Sequence, residues 1–294
     1  MATSEQSLNN SPRMHPDTID ISMTGSCQLD CQWCWGDVHK IGIEHQQDSW
    51  KNLLSSFNER GTNAVVFTGG EPLMVPFLPE IAQHAKELGM RTTLSTNAVL
   101  LARKHHKVLP FIDDLGLPLD GSTSPINKIM RPGKIDNFKK VIEGANLVLD
   151  NYPDTELTIR TVIARPNVND VANIPEVLSN QGVNLSRIRY KMYQVEPIGP
   201  RATITNTEAW SVEEDECLEV AEEVSERYPN MHNTLQLYKN TSGRYFQVGA
   251  LGNAFGTLID DDGKPKTIEL GNPMKDLSES LAMIALYYSG LDTH

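Results

Sequence analysis

The chain has 294 residues, 39% hydrophobic and 22% charged, which is enough for one barrel-sized domain with an extension or for two domains. Its net charge of −12 argues against a nucleic-acid duplex as partner, because phosphate binding relies on lysine and arginine. No apolar run approaches the roughly 20 residues that span a bilayer, and the first 16 residues lack the apolar core of a signal peptide. We therefore expect no membrane partner and a cytoplasmic location.

Strand-like and helix-like stretches alternate along the chain from residue 18. Asp48 is predicted to cap the first helix, and Gly89 to end the second, where a glycine is favoured. Six consecutive strand–helix units imply parallel strands joined by right-handed crossovers. The predicted strands cover residues 18–23, 64–67, 91–95, 114–119, 157–163 and 187–194, and the predicted helices cover residues 49–59, 78–88, 100–107, 135–149 and 171–179.

The pattern changes near residue 206. A helix over 212–227 is predicted there, followed by a β-like segment at 245–248, a hairpin around 257–263 and a last helix over 276–287. We divide the chain into a mobile tail (1–16), a barrel part (17–205) and a C-terminal extension (206–294). The aspartates at positions 260–262 lack the loop pattern and the terminal glutamate of a calcium-binding hand, so we read them as a turn.

Three of the four cysteines, Cys27, Cys31 and Cys34, lie within eight residues in the loop that follows the first predicted strand. Such clustering of free thiols speaks against a disulfide scaffold and for a reducing compartment. Structural zinc requires four closed ligands, whereas a 4Fe-4S cluster takes one thiolate per iron, so three cysteines would leave one iron open for chemistry. A zinc site completed by His39, or a chance cluster, are the alternatives.

The second predicted strand runs directly into a glycine-rich turn, Gly69-Gly70-Glu71-Pro72. Two glycines let the backbone approach a ligand closely, and a carboxylate beside them can accept hydrogen bonds from an ammonium group. Alone, such a turn is more often a simple connection between a strand and a helix. After the cysteine loop, and at the same predicted edge of the sheet, it indicates a binding site.

At these residues the chain resembles the radical S-adenosylmethionine (radical SAM) superfamily. The match consists of the CxxxCxxC loop, the aromatic Trp33 before its last cysteine and the GGEP turn, and it covers roughly residues 17–205. The resemblance implies an α/β fold, an open (β/α)6 partial TIM barrel with a small α+β C-terminal extension. It also implies that the three cysteines ligate a 4Fe-4S cluster, that the turn binds the methionyl amine of SAM and that Trp33 flanks the nucleoside.

Further site residues follow from the same resemblance. A hydrogen-donating role, as in epimerases of this superfamily, is one reading of Cys217, and a small core residue is the other. The missing extra cysteines make an auxiliary cluster in the C-terminal extension unexpected. Expected SAM contacts are Ser95, Asn97, Arg160, Thr161, Asn167 and Gln194, and candidate substrate contacts are Asp120, Arg131 and Lys191, each of which also has an ordinary structural reading as a cap, salt bridge or strand surface.

The sequence thus predicts an oxygen-sensitive enzyme that cleaves SAM reductively, with a flavodoxin or ferredoxin as electron donor. We expect a small polar substrate, such as a sugar, an aminoglycoside or a nucleoside-like molecule, in a biosynthetic pathway. The sixth strand and the C-terminal layout are similar to the viperin-like and sugar-tailoring branches of the superfamily. A peptide-modifying enzyme, with epimerisation through Cys217 as one form, is the alternative. A non-catalytic iron-sulfur carrier or sensor is the second alternative.

Overall fold

One ten-stranded sheet organises the chain in the computed structural model, which describes residues 15–34, 36, 41–196, 207–241, 243 and 245–291. Its strand order is β10-β9-β8-β1-β2-β3-β4-β5-β6-β7. The strands are β1 (Thr18–Ser22), β2 (Ala64–Thr68), β3 (Arg91–Ser95), β4 (Asp114–Pro118), β5 (Glu156–Ile163), β6 (Ile188–Gln194), β7 (His232–Gln236), β8 (Phe246–Val248), β9 (Ala254–Ile259) and β10 (Pro265–Glu269).

The first six strands lie side by side in sequence order and pair in parallel, which confirms the predicted series of strand–helix units. Two strands from the C-terminal part extend this sheet: β7 pairs in parallel with β6, and β8 pairs in parallel with β1. Among the described residues, the edge strands β7 and β10 are not paired with each other, so the sheet is an open, partial barrel. The predicted hairpin is confirmed as the antiparallel pair β9–β10.

Eight helices accompany the sheet in the described ranges, and none of them is long and apolar enough to cross a membrane. Gly89 adopts the left-handed conformation predicted for the end of the second helix, with φ 76°. The prediction that Asp48 caps the first helix is wrong: Gln46 is the N-cap residue, and Asp48 lies in the first turn. The helices are α1 (Gln47–Asn58), α2 (Leu78–Glu87), α3 (Leu101–Val108), α4 (Ser124–Met130), α5 (Asn137–Asn151), α6 (Ile174–Asn180), α7 (Glu214–Arg227) and α8 (Leu277–Leu291).

Helix α4 lies where the sequence analysis predicts only a loop. The Thr123 side chain accepts a hydrogen bond from the backbone N–H of Ile126, and Pro125 lies in the first turn. A threonine cap followed by a proline is an ordinary start signal of a helix, so the sequence carried the information. The helix matters because Met130 and Arg131, at its end, contact the cysteine loop.

The two faces of the sheet differ in polarity because side chains alternate along each strand. One face, with side chains such as Ile21, Phe67 and Ile159, is fully buried in the hydrophobic core under the helices. The other face, which we call the inner face, carries Asp20 and Arg160 among other polar residues. The polar side chains of the sheet are therefore concentrated on the inner face.

At the N-terminal ends of the strands, the inner face holds a network of ion pairs. Arg189 lies 2.9 Å from the carboxylate of Asp114 and 2.6 Å from that of Glu156. Glu156 also pairs with Arg91 at 2.8 Å. The charges at this end are thus paired with each other, and the loops that carry the cysteines and the GGEP turn leave from the opposite end.

A side chain of β7 contacts the segment that precedes β8, and we call this contact region, with its surroundings, the seam. Gln236, the last residue of β7, donates a side-chain hydrogen bond to the hydroxyl of Tyr245, which precedes β8. Beside it, the chain leading from β7 towards β8 is held to β9, because the Thr257 hydroxyl donates to the carbonyl of Thr241 at 2.7 Å. The seam therefore consists of side-chain hydrogen bonds that lie outside the backbone pairing of the strands.

Candidate active site

The cysteine loop follows β1 at the C-terminal end of the sheet and is held by backbone and side-chain donors. The N–H groups of Leu29 and Gly36 each point at a cysteine sulfur at 3.4 Å, the first at Cys27 and the second at Cys34. The side-chain amide of Asn97, from the loop after β3, lies 3.4 Å from the Cys27 sulfur. N–H groups directed at sulfur stabilise thiolates, so the loop supplies donors that suit the thiolate ligands of an iron-sulfur cluster.

The three sulfurs lie close enough to influence one another electrostatically. Burial raises the pKa of the Cys31 thiol to about 12, against the effect of the nearby Arg131 guanidinium, and also raises the pKa of Cys27. Metal binding must displace these protons. In the described ranges, no three His, Cys, Asp or Glu side chains converge on a single ion. The thiolates of a cluster each bind a different iron, so the donor set fits a 4Fe-4S cluster. The alternative zinc ligand His39 lies outside the described residues.

The GGEP turn is hydrogen-bonded to the segment that leads into the cysteine loop. The backbone N–H of Gly70 donates to the carbonyl of Thr24 at 2.7 Å, and that of Glu71 donates to the carbonyl of Ser26 at 2.8 Å. A Cβ atom on Gly70 would lie 2.2 Å from the Ser26 carbonyl oxygen, so only glycine fits there. Gly69 adopts φ 118°, which favours glycine for a second reason. The turn and the cysteine loop therefore form one unit.

The Glu71 carboxylate is hydrogen-bonded inside the protein. It accepts hydrogen bonds from the N–H of Leu73 at 2.9 Å, the hydroxyl of Thr96 at 2.6 Å and the N–H of Asn97 at 2.8 Å. The side chain is fully buried, and burial raises its pKa to about 6. The sequence pattern offers this carboxylate as an acceptor for an ammonium group. In the structure it connects the GGEP turn to the loop after β3.

A strap of residues 130–133 crosses from the fourth strand–helix unit to the cysteine loop. Trp33 donates its indole N–H to the carbonyl of Met130 at 3.0 Å, and the guanidinium of Arg131 lies 4.9 Å from the Trp33 ring centroid. Asp30 donates its N–H to the carbonyl of Pro132 at 2.7 Å. The strap thus fixes Trp33 and the middle of the loop through contacts almost a hundred residues apart in sequence.

Arg131 and Asp120 form a buried ion pair at 2.5 Å, with Asp120 fully buried at the end of β4. Burial raises the pKa of Asp120, and Arg131 opposes that rise. The other Asp120 oxygen accepts from the N–H of Val162 at 2.8 Å. The sequence offers both residues as candidate substrate contacts, with a loop salt bridge as the alternative for Arg131; the structure contains such a salt bridge, with Asp120, and places Arg131 beside Cys31 and Trp33.

Several expected SAM and substrate contacts do share the inner face. The strand register aligns Ser95 with Gly116, and Arg160 with Lys191, on the same side of the sheet as Asp20. Arg160 donates to the Ser95 hydroxyl at 3.0 Å and packs where Gly116 has no side chain, since a Cβ there would lie 2.5 Å from the guanidinium carbon. Ser95, Arg160 and Lys191 therefore line one polar surface.

Four other candidate site residues contact the protein away from the inner face. Thr161 faces the helix side, where its hydroxyl donates to the carbonyl of Leu119 at 2.5 Å. The amide of Asn167 bonds the carbonyls of Asp120 and Val162, both at 2.8 Å, and that of Gln194 bonds the carbonyl of Val212 at 3.0 Å. Cys217 is fully buried in the core on α7, which is the crossover helix between β6 and β7. These four side chains hold the framework together.

Sequence reasoning missed Asp20 and Glu196. Asp20 lies in the middle of β1 on the inner face, and burial raises its pKa to about 7 while Arg160 opposes the rise. Glu196 follows β6; burial raises its pKa to about 7, and one of its buried oxygens has no hydrogen-bond partner among the described residues. The alternation of polar residues at 18, 20 and 22 was a usable signal for Asp20, because it marks a polar face next to the cysteine loop.

We expect the stability of the metal-free protein to fall as pH rises from about 4 to 7, in part because of Asp20. Its pKa is higher in the folded protein than its ordinary 3.8, so the folded state keeps the proton that the unfolded state releases in this window. Replacing Asp20 with Asn should remove this contribution and stabilise the protein by about 2–4 kcal/mol at pH 8. Urea unfolding of the wild type and of Asp20→Asn at pH 5 and pH 8 measures this contribution. If both proteins lose the same stability between pH 5 and pH 8, the prediction is contradicted.

Comparison with known proteins places this geometry in context. The family model of the radical SAM superfamily matches residues 21–174, more than half of the chain. A PqqA peptide cyclase of Bradyrhizobium diazoefficiens is 29% identical over 218 residues, covering 72% of this chain and 55% of that protein. An Fe-coproporphyrin III synthase of Methanosarcina barkeri is 29% identical over 168 residues, covering 55% of this chain and 41% of that protein. The chain thus spans about half the length of the curated relatives it matches.

Among solved structures, SuiB of Streptococcus suis bound to S-adenosylmethionine has a similar fold. Its TM-score is 0.72 at 14% identity, and the match covers 95% of this chain and 68% of that one. SuiB has also been solved with its precursor peptide SuiA, with a TM-score of 0.67 at 14% identity over 83% of this chain and 60% of that one. At such identity the likeness concerns the fold, and the family model carries the assignment. The chain belongs to the radical SAM superfamily.

Proposed function

We propose that this enzyme modifies a peptide, using a 4Fe-4S cluster held by Cys27, Cys31 and Cys34 and SAM bound beside it. The observation that carries the substrate class is the similarity to a PqqA peptide cyclase over 72% of the chain. The small polar substrate expected from the sequence gains no comparable support, because neither these relatives nor SuiB is named for a sugar or an aminoglycoside. The reducing compartment suggested by the free thiols supports a cytoplasmic location.

When bound, the cluster and SAM together supply a 5′-deoxyadenosyl radical that removes a hydrogen atom from an unreactive carbon. The chain's part is to bind and orient. The backbone carbonyls of Gly69 and Gly70 would accept hydrogen bonds from the methionyl amine of SAM, since the Glu71 carboxylate already accepts hydrogen bonds from the protein. Trp33, fixed by the strap, would flank the nucleoside. Ser95 and Arg160 would bind polar groups of SAM from the inner face, with Lys191 beside them for the substrate.

The inner face offers a peptide polar and charged contacts. Tyr193, Gln236 and Tyr245 come together at the seam, and the carboxylates of Asp20 and Glu196 lie near enough to raise the pKa of Tyr245, although burial is the larger cause. Carboxylates and hydroxyls at a recessed position suit backbone amides or a cationic side chain. Cys217 has no part in this proposal, because it is buried within the helix layer.

The test is anaerobic turnover. The protein is reconstituted with iron and sulfide, supplied with dithionite and SAM, and given in turn a peptide library, iron coproporphyrin III, or a pool of sugars and aminoglycosides. We expect 5′-deoxyadenosine to rise above the substrate-free level with peptides, together with a mass change in a member of the library. A rise with the porphyrin or the sugar pool alone would overturn the peptide assignment.

A further inference from the structure

Helix α3 carries a basic surface on an otherwise acidic chain. Its sequence, Leu-Ala-Arg-Lys-His-His-Lys-Val, contains no acidic residue, while the whole chain has a net charge of −12. Arg103 and Lys107 are exposed and Lys104 is partly exposed. Within the described part of the chain, none of the three forms an ion pair with a carboxylate. We call these three residues the basic patch.

The basic patch borders a groove of about 360 Å³ between α3 and the segment that follows the GGEP turn. The opposite wall is apolar and is formed by Leu73, Val75, Pro76, Leu78 and Pro79. Leu73, Val75 and Leu78 in this wall are themselves buried, so the exposed cations of the rim are the feature that would select a partner, and they favour one with negative charge.

The groove is connected to the first cysteine of the cluster loop through a series of hydrogen bonds. Leu73 in its wall donates its N–H to Glu71, whose other carboxylate oxygen accepts from the N–H of Asn97. The side-chain amide of Asn97 in turn lies 3.4 Å from the Cys27 sulfur. Three hydrogen bonds therefore connect the wall of the groove to the cluster site. Lys104 is also close enough to Glu71 to lower its pKa, as a smaller cause than burial and the hydrogen bonds.

We propose that the basic patch and its groove are the docking surface for a small acidic electron-transfer protein, which reduces the cluster from this side. The proposal rests on the proposed function, since a radical SAM enzyme needs one electron for each SAM cleaved. In the step at this surface, the reduced carrier loses one electron and the cluster gains it, with no bond formed or broken. Carboxylates around the carrier's redox centre would face Arg103, Lys104 and Lys107, which speeds association at low salt.

The test compares two triple variants of the reconstituted enzyme. Arg103→Glu/Lys104→Glu/Lys107→Glu reverses the basic patch, and Lys264→Glu/Lys266→Glu/Lys275→Glu reverses three exposed lysines in the C-terminal part. Both change the net charge equally, so any general repulsion of an acidic partner is matched. The probe is a flavodoxin kept reduced by its NADPH-dependent reductase. The readouts are the affinity for flavodoxin, the rate of cluster reduction followed by absorbance, and 5′-deoxyadenosine formation with dithionite.

We expect the patch variant to bind flavodoxin and to be reduced by it about tenfold to a hundredfold less well at low salt, with a much weaker salt dependence than the wild type. The C-terminal variant should resemble the wild type, and both should form 5′-deoxyadenosine normally with dithionite. Equal flavodoxin affinity and equal reduction rates in the patch variant and the wild type would overturn the docking proposal.

Two further outcomes are informative. If the triple glutamate variant misfolds, the triple glutamine variant at the same positions removes the charges without adding repulsion, and its flavodoxin affinity decides the question. If the wild type forms no 5′-deoxyadenosine with either reductant, the proposed function fails. Flavodoxin affinity, which requires no turnover, then still tests the docking surface, and equal affinity in the patch variant would overturn it.

Discussion

Replacement of Cys31 by alanine should leave the protein folded but without its cluster. Cys31 is buried beneath the strap, and its sulfur lies near those of Cys27 and Cys34. With only two thiolates left in the loop, two irons would lack protein ligands, so iron and sulfide content should fall from about four per chain to near zero. Production of 5′-deoxyadenosine should fall to the level of a reaction without protein. Iron and sulfide analysis after anaerobic reconstitution measures the first effect.

Cys217 provides the matched control, because it is a cysteine buried in the core on α7, outside the cluster loop. Cys217→Ala removes one small buried group, and we expect a loss of about 1 kcal/mol in stability with full iron content. Cys27→Ala and Cys34→Ala should lose their iron and sulfide in the same way as Cys31→Ala. Normal iron and sulfide in any of these three loop variants would remove the basis for the assigned ligands.

The second large effect concerns the buried ion pair. Arg131→Met should destabilise the metal-free protein by about 3–5 kcal/mol, because it leaves the Asp120 carboxylate buried without its counter-charge. The variant also loses the guanidinium that lies over Trp33, so the cysteine loop loses part of its support. Lower iron retention after reconstitution should accompany the lower stability. Urea unfolding of the metal-free protein measures the first effect without reference to the cluster.

A double-mutant cycle separates the ion pair from the loss of packing. Asp120→Asn/Arg131→Met removes both charges, and the asparagine retains an oxygen for the N–H of Val162. We expect this double variant to be more stable than Arg131→Met alone, with a coupling energy of about 1–3 kcal/mol. If the double variant is less stable by the sum of the two single losses, the two charges do not interact and the ion pair has no role in holding the strap.

The sequence was sufficient for the order of strands, because short strand-like runs alternate with helix-like stretches from β1 to β6, although the cap of the first helix and the whole of α4 were not predicted. The cysteine loop and the GGEP turn were also recognisable from the sequence, because the spacing of their residues is compatible with few kinds of site. The strand β7 went unpredicted because its residues, His-Asn-Thr-Leu-Gln, are mostly polar and partly exposed. A strand of that composition is fixed by pairing with β6, and single-sequence patterns carry little information about pairing.

The candidate site residues show the same limit. The pattern offered Glu71 as an acceptor for a ligand and Arg131 as a substrate contact or a loop salt bridge, and each is engaged inside the protein: Glu71 by Asn97, and Arg131 by Asp120. Thr161 and Arg160 are neighbours in sequence and lie on opposite faces, which depends on the register of β5. Residue type indicated correctly which positions are polar. The partner of each polar side chain, and the face of the sheet on which it lies, depend on tertiary contacts.

The seam differs from the rest of the sheet in the energy needed to separate its two sides. Separating two neighbouring strands breaks several ladder hydrogen bonds at once, whereas β7 is an edge strand and has no ladder on its seam side among the described residues. The hydrogen bonds from Gln236 to Tyr245 and from Thr257 to Thr241 each contribute about 0.5–1.5 kcal/mol net. The sheet therefore opens at lower cost along the free edge of β7 than between two paired strands, and the hydrogen bonds that hold the cysteine loop after β1 are not among those broken.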